Sequence, residues 1–555
     1  MRATARKSGI RVHATVGTRN VLLGMDATAA ASRDLLGFRV ERFGPGARDR
    51  QAVPSAFTFE GFDPGDLNAR VVQQFHWCDY AAEPGRAYTY HVTAVYGTPS
   101  RMRARAPVEV DVKTEKEDAG VHRIHFNRGA SASHAFGELF PRVALDLRRP
   151  DSPPLRWLSR GLLEGLLAFI DRARDDSWSL RGSLYEFTYP PILQAFKAAH
   201  NRGVSVRLVV DHLGAAQEND EAIARAGIKS LVIPRKSSGL SISHNKFVIL
   251  LRGKTPVAVW TGSTNHTSDG LFGQSNVGHA LTDRTVARTY LDYWRMIATN
   301  PSRAAFAAWN DEHTPLSRLD GSDGIKVVFS PRSTTEAMRR YESMLAKARH
   351  GAFLTAAFGV SNEFTEVLLQ RRKYLRYILM DNKGQTGNAA NTVKIRQNPL
   401  NLIALGDVIK SGELGHWPEE HLTGLNEWVK YVHTKFLLLD PLSDRPTVLT
   451  GSANFSDASV TSNDENMLII RGDTRVADVY LSDFMRQFTG FAFRNQLDQI
   501  TEHDYGPRGK HLRDAKRRKP LDIHLAPDAS WLKPHFKRGS PLEMQRLYFS
   551  GQARD

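Results

Sequence analysis

One pattern of residues is written twice in this chain at a single spacing. His244, Lys246, Gly262, Ser263 and Asn265 recur 189 positions later as His433, Lys435, Gly451, Ser452 and Asn454. In both copies Lys follows His by two positions and Asn follows it by twenty-one. The first copy then reads as a strand from Phe247 to Leu251, a polar loop, and a strand from Val257 to Trp260. The second reads the same way through Phe436 to Leu439 and Thr447 to Leu449. An antiparallel hairpin with His and Lys at the start of one strand, and Asn just past the end of the other, brings all three side chains to one end of a sheet. Chance repetition of these residue types at equal intervals is hard to credit, so the two copies are expected to build one shared site.

The flanking sequence repeats too. An amphipathic helix is expected from Trp157 to Ala173, where Leu158, Leu162, Leu163, Leu166, Leu167 and Ile170 recur at three- and four-residue spacing. A strand from Ser183 to Phe187, a helix from Pro191 to His200 and a strand from Val204 to Asp211 follow. In the second half, Ser333-Thr334-Thr335-Glu336 reads as a capping box opening a helix that ends near Gly351. It precedes a strand from Ala352 to Phe358, a helix from Asn362 to Gln370 and a strand from Leu375 to Asp381. The βαβ order favours parallel strands with a right-handed crossover. Two halves of one plan imply an internal duplication with pseudo-twofold symmetry, so a monomer suffices for one active site, and a homo-oligomer stays open. The halves differ in length between scaffold and motif: 33 residues separate Asp211 from His244, but 52 separate Asp381 from His433. The extra 19 lie within Asn382 to Lys430, among Lys394, Arg396, Lys410, His416, Trp417 and Trp428, and read as a cover over the cleft or as a solvated excursion.

Phosphodiester cleavage needs a nucleophile at phosphorus, a proton for the leaving oxygen and compensation of charge on the non-bridging oxygens. Two His, two Lys and two Asn can supply all three. These motifs resemble the phospholipase D superfamily, whose signature is His-x-Lys, Asp, then Gly-Ser-x-Asn, carried twice per site. The resemblance implies a duplicated phospholipase D-like α/β/α sandwich with residues 121–320 as the first half and 321–505 as the second. It implies a metal-independent phosphodiesterase, with no cofactor, working through a phosphohistidine. In that scheme His244 attacks phosphorus and His433 protonates the leaving alcohol; Lys246 and Lys435 supply charge, and Asn265 and Asn454 donate hydrogen bonds. Which His attacks is not readable from the residues, although the family more often uses the first. Past each Gly-Ser-x-Asn, polar residues recur at the same offset, Gln274 against Asn463 and Asn276 against Glu465. Glu465 fits the carboxylate that the family places there to orient a catalytic His. Ser263 and Ser452 read as structural hydrogen-bonders, since no separate base accompanies either. The Asp of the signature is present as Asp440 but is Leu251 in the first copy.

Residues 1–115 alternate apolar and polar side chains between Gly-, Pro- and Asp-rich turns, which predicts an all-β domain. Ala87 to Tyr96 resembles a late strand of a fibronectin type III or immunoglobulin-like sandwich, a module expected to pack or to meet a protein partner. His122 and His125, three apart on a short strand, would face opposite ways, and no metal site is expected there. The single Cys78 excludes an intrachain disulfide. With no signal-like or membrane-spanning apolar run, a cytoplasmic protein is expected.

The substrate must be chosen from outside the motifs. The formal net charge is +16, and residues 506–555 form a basic tail with Arg513, Lys516, Arg517, Arg518 and Lys519 as substrate-binding candidates. Trp531, His535, Phe536, Tyr548 and Phe549 beyond them could stack on bases or belong to an ordinary surface segment. A nuclease acting on DNA or RNA is favoured, because no strongly apolar loop offers a membrane dock. A phospholipase D acting on anionic phospholipid is the alternative, and a weakly catalytic phosphate-binding protein the second.

Overall fold

The computed structural model describes residues 1–44, 50–129, 143–381, 388–406, 431–505 and 524–553 apart from positions 54, 56, 64 and 320, together with 46, 136, 139, 140 and 425.

The N-terminal region is all-β. Its strands are β1 (Arg2–Lys7), β2 (Ile10–Val16), β3 (Val21–Ala27), β4 (Leu35–Phe43), β5 (Arg50–Ala52), β6 (His76–Asp79), β7 (Ala87–Thr98), β8 (Arg101–Ala104) and β9 (Val108–Lys113). One sheet runs β1-β2-β3-β6; the other runs β5-β4-β7-β8, with β9 also paired to β7. Their inward residues, among them Val12, Leu23, Phe38, Tyr90 and Val110, form a separate core.

Each half that follows holds one mixed sheet. The first has β10 (His122–Phe126), β11 (Trp178–Leu184), β12 (Ser205–Asp211), β13 (Val232–Arg235), β15 (Lys246–Arg252), β16 (Thr255–Gly262) and β17 (Val277–Leu281), in the order β10-β17-β16-β15-β11-β12-β13; the short β14 (Ile242–Ser243) pairs instead with a strand of the second sheet. The second has β18 (Gly324–Ser330), β19 (Gly351–Ala356), β20 (Leu375–Met380), β21 (Asn401–Leu405), β22 (Phe436–Leu439), β23 (Thr447–Gly451) and β24 (Asn463–Arg471), in the corresponding order β18-β24-β23-β22-β19-β20-β21. Parallel and antiparallel pairings match at every step: β11 and β19 are parallel to β12 and β20, while both His-x-Lys hairpins are antiparallel. The duplication is therefore a property of the fold.

The helices that pack on these sheets are α1 (Pro153–Ser159), α2 (Leu162–Asp171), α3 (Pro190–Asn201), α4 (Ala216–Ala226), α5 (Arg284–Ile297), α6 (Arg303–His313), α7 (Glu336–Ala346), α8 (Asn362–Leu369), α9 (Asn388–Ile395), α10 (Asp457–Thr461) and α11 (Thr474–Tyr505). One core joins the halves through Phe247, Ile249 and Val259 from one sheet, Phe436, Leu438 and Val448 from the other, and Tyr290 and Tyr480 from α5 and α11. Two further cores lie under α1 to α4 and α7 to α9.

Three expectations need correction. The helix expected over 157–173 is two helices, broken where Arg160 and Gly161 both adopt positive φ, of 50° and 96°. Arg160 is turned inward there to donate to Asp483 at 2.8 Å, and this buried ion pair fixes the break. The expected capping box does not form: α7 starts at Glu336, and Thr335 makes no side-chain cap. Finally, the C-terminal aromatics are core residues. Trp531 stacks on Phe75 with ring centres 5.3 Å apart and donates to Leu35 O at 2.9 Å, while Tyr548 and Phe549 are 4% and 1% exposed. They belong to α12 (Lys533–Phe536), α13 (Pro541–Phe549) and the preceding turn, which close over the N-terminal domain. Gly24 permits this closure, because a Cβ there would sit 1.9 Å from Phe549 O. Rings spent on that packing cannot stack on a substrate.

From Asp211 to Arg235 and from Asp381 to Leu405 the halves are equal in length, so all 19 extra residues fall after β21. Of that stretch, Lys410, His416, Trp417 and Trp428 lie outside the described residues. Leu425 is buried and joins the core of the first half.

Candidate active site

The pseudo-twofold symmetry shows most directly around the histidines. The residue before each His is tied to the opposite half: Ser243 pairs in parallel with Asp464, and Val432 with Ser275. His244 N then donates to Asp464 O at 3.0 Å, and His433 N to Ser275 O at 3.2 Å. Two carboxylates that the motif reading passed over hold these segments. Asp211, just at the end of β12, accepts from Ser243 N at 2.7 Å; Asp381, just past β20, accepts from Val432 N at 2.9 Å.

The crossing continues in the side chains. His244 donates from Nδ1 to Glu465 Oε1 at 2.8 Å, and His433 from Nδ1 to Asn276 Oδ1 at 2.9 Å. Both acceptors come from the other half. A carboxylate or amide oxygen fixes the proton on Nδ1, which leaves each Nε2 with its lone pair. Ser452 Oγ donates to the free Glu465 oxygen at 2.6 Å, and Ser263 Oγ donates to Asn276 Oδ1 at 2.8 Å. The two serines of Gly-Ser-x-Asn thus act as struts for the groups that hold the histidines, as their lack of a base implied.

Lys246 and Lys435 are 1% exposed and each donates to the carbonyl of its own His, at 2.7 and 2.8 Å. Burial lowers Lys246 to about 8 and Lys435 well below the usual range, the latter also through repulsion from Lys246. Burial likewise lowers His244 to about 4, although Glu465 opposes it, and lowers His433 well below its ordinary value with Lys435, Lys246 and His244 adding to the effect. These mutual influences place both motif pairs in one field. Glu465 is fully buried, yet its carboxyl stays below the ordinary range because His244 and Lys246 outweigh desolvation.

The halves differ in what surrounds the lysines. In the first, Tyr185 sets its ring against His244, with centres 4.9 Å apart, and under Lys246 Nζ at 5.1 Å. Glu186 accepts from Asn265 Nδ2, and burial raises its pKa. In the second, the positions matching Tyr185 and Glu186 along the paired strands are Ala357 and Phe358. There a cavity of about 220 Å³ opens beside Lys435 and Asn454, lined also by Ser361, Glu363, Phe455 and Asp457. Glu186 could not be found by repetition, since its counterpart is Phe358; its position just past β11, beside the hairpin, was the available signal.

Asp440 accepts backbone hydrogens from Arg349, His350 and Gly351, at 2.7 Å for His350, and so pins the start of β19 where β22 ends. In the first half β15 runs on through Leu251 to Arg252, pairing with Trp178, and needs no such clamp. Arg513, Lys516, Arg517, Arg518 and Lys519 lie outside the described residues. Among the described residues, no group of three or more His, Cys, Asp and Glu side chains is placed to hold a metal ion, and no helix is long and apolar enough to cross a membrane.

Two equivalent halves, with each histidine held by the other half, define a phosphodiesterase-like domain. Comparison with known families agrees: residues 166–297 and 405–488 match the family described as cardiolipin synthase, phospholipase D-like domain, and this chain carries a domain of the phospholipase D superfamily. A search of the curated proteins found no match. Among solved structures, phosphatidylserine synthase of Haemophilus influenzae Rd KW20 is 12% identical, with 62% of this chain and 91% of that chain covered and a TM-score of 0.40. Nuc from Salmonella typhimurium, a phospholipase D family member, is 20% identical over 30% of this chain and 95% of its own, with a TM-score of 0.23. Yeast tyrosyl-DNA phosphodiesterase is 14% identical over 55% and 87%, with a TM-score of 0.32.

Proposed function

We propose that the protein is a phosphodiesterase working through a phosphohistidine on His244, with His433 as acid and then base. The observation that carries this reading is the unequal partnering of the two histidines. When His244 Nε2 bonds to phosphorus, its ring becomes cationic, and Glu465 is the one of the two partners whose charge stabilises that cation. His433, held by the neutral Asn276, gains no such compensation and suits proton transfer. In the first step the Nε2–P bond forms, the bond from phosphorus to the leaving oxygen breaks, and that oxygen takes the proton from His433 Nε2. In the second, water attacks phosphorus, its proton passes to His433, and the P–N bond breaks. Lys246 and Lys435, with Asn265 and Asn454, balance charge on the non-bridging oxygens. Burial, with repulsion from Lys435 and Lys246 adding to it, keeps His433 unprotonated in the free protein, and the anionic phosphoryl group offsets that repulsion.

For substrate we favour a nucleic acid strand, supported by the net charge of +16, of which the 506–523 segment contributes seven basic against two acidic residues. A second reading is a compact phosphodiester with a cationic alcohol, such as an amine-bearing phospholipid headgroup. It is favoured by Glu363 and Asp457 in the cavity beside Lys435, where a polyanion would be repelled. Parallel incubation with labelled single- and double-stranded DNA, RNA and phospholipid vesicles, all in excess EDTA, tests both. Cleavage of nucleic acid that weakens linearly in log salt supports the first. Headgroup release without nucleic acid cleavage supports the second, and activity that needs added Mg²⁺ or Zn²⁺ overturns the metal-independent mechanism.

A further inference from the structure

On the outer face of the first sheet, away from both motifs, lies a cavity of about 690 Å³ to which no catalytic side chain contributes. It forms where three parts of the chain meet: the sheet with α2, the sandwich loop at Pro84 and Gly85, and the connecting residues 116–118. Ile124 and Phe126 of β10 enter the core between the halves, so Arg123 and His125 must face the other way, into this junction. Arg172, near the end of α2, and Lys116 complete a cationic wall.

The charges of this wall are not matched within the protein. Neither Arg123 nor Arg172 forms an ion pair among the described residues, and the buried atoms Arg123 Nε, Arg172 Nη1 and His125 Nδ1 have no hydrogen-bond partner there. Glu117 lines the cavity too, but both its oxygens are held by Arg19, at 2.5 and 3.0 Å. That leaves Asp118 as the one uncommitted acid against Lys116, Arg123 and Arg172. Three cations against one anion leave two positive charges for a ligand to match. Phe169, whose ring lies under the Arg172 guanidinium at 5.4 Å from its centre, lines the cavity with Ala168 and Pro84 and supplies its apolar surface. The volume lies within the ~300–1,000 Å³ usual for small-molecule sites.

We propose that this cavity binds a small organic phosphate monoester, its phosphate held by Arg123 and Arg172 with Lys116 at the mouth, and its body laid against Phe169. A dianionic phosphate matches the charge, and the planar guanidinium forks suit its oxygens. Because the cavity walls come from the sandwich, the connecting residues and the first half, an occupant fastens them together.

The test is calorimetric titration and thermal melting of the full chain carrying Lys246→Ala and Lys435→Ala, which removes phosphate affinity at the catalytic site. The probes are a nucleoside 5′-monophosphate, inorganic phosphate and succinate. One monophosphate is expected to bind per chain and raise the melting temperature, with inorganic phosphate and succinate weaker. Adding Arg123→Gln and Arg172→Gln is expected to weaken binding roughly 10- to 100-fold without lowering the melting temperature of the ligand-free protein, since the two arginines repel each other there. The single exposed Lys116→Gln change should weaken binding less. An unchanged isotherm in the double arginine variant overturns the site. A lower ligand-free melting temperature also overturns it, since the arginines would then already be satisfied. Equal binding of inorganic phosphate or succinate overturns the organic phosphate assignment.

Discussion

Replacing Glu465 by Gln separates the charge of this residue from its shape. The side chain is fully buried and bonded twice, accepting from His244 Nδ1 at 2.8 Å and from Ser452 Oγ at 2.6 Å. A glutamine can accept from the imidazole through its carbonyl, so the ring keeps its place; Ser452 Oγ, which already accepts from Asn466 N and Nδ2, loses its acceptor and turns its hydrogen toward Asn466 O. What is lost is the difference between a charge-assisted and a neutral hydrogen bond at the moment His244 becomes cationic. That difference is about 1–2 kcal/mol, or roughly 5- to 30-fold in the rate of phosphoryl transfer to the enzyme. Hydrolysis of a chromogenic aryl phosphodiester, followed across pH, measures it whatever the natural substrate. Activity should hold where His244 is neutral and Lys246 charged, which places the limbs near their values of about 4 and about 8. Glu465 raises both groups, so its neutralisation should move both limbs toward acid while the maximum falls. A variant within twofold of the parent, or limbs that stay in place, would refute the assignment of the charge on Glu465 to the His244 step.

The remaining predictions concern other parts of the site and its frame. His244→Ala and His433→Ala should each lower turnover by ~10² to 10⁴-fold with the fold intact, and a rapid quench of the parent with labelled substrate should place phosphorus on His244 alone; near-normal turnover in either variant contradicts a shared two-histidine site. Binding of a non-hydrolysable phosphodiester should take up protons at neutral pH, because His433 gains one when the repulsion from Lys246 and Lys435 is offset; titrations in buffers of different ionisation enthalpy should therefore give different heats. Asp464→Ala should cost about 3–5 kcal/mol in denaturant unfolding, since Arg235, fully buried and paired with Asp464 at 2.9 Å, would be left without its carboxylate.

Much of this architecture was legible because strands declare themselves locally. Phe436 to Leu439 is a run of apolar residues bounded by a charge on each side, and it forms β22 with the expected ends. The interval of 189 extends to positions that no hairpin rule touches, such as the parallel pairings of Ser243 and Val432. The errors arise where a distant partner decides. Nothing near Arg160 announces that Asp483, 323 residues on, will draw it inward and break a helix. The aromatics after residue 530 read as a free surface because Phe75 and Gly24, which receive them, are hundreds of positions away. Glu186 was hidden for a different reason: repetition finds what both halves kept, and this position differs between them.

That difference has a mechanistic consequence. A symmetric site would offer a phosphodiester two equivalent orientations, and either histidine could attack. Here the first half packs Tyr185 and Glu186 around Lys246 and Asn265, while the second leaves a cavity beside Lys435 and Asn454. Bulk therefore enters more readily on the second side. Glu465 and Asn276 break the symmetry at the histidines in turn, which on the proposed mechanism makes His244 the attacking one. Two independent asymmetries, one steric and one electrostatic, thus bias a duplicated fold toward one orientation. Glu186→Ala, which opens the first side, should let bulkier phosphodiesters bind in both orientations. Its effect should appear as relaxed selectivity between large and small substrates; unchanged selectivity would show that the steric difference plays no part.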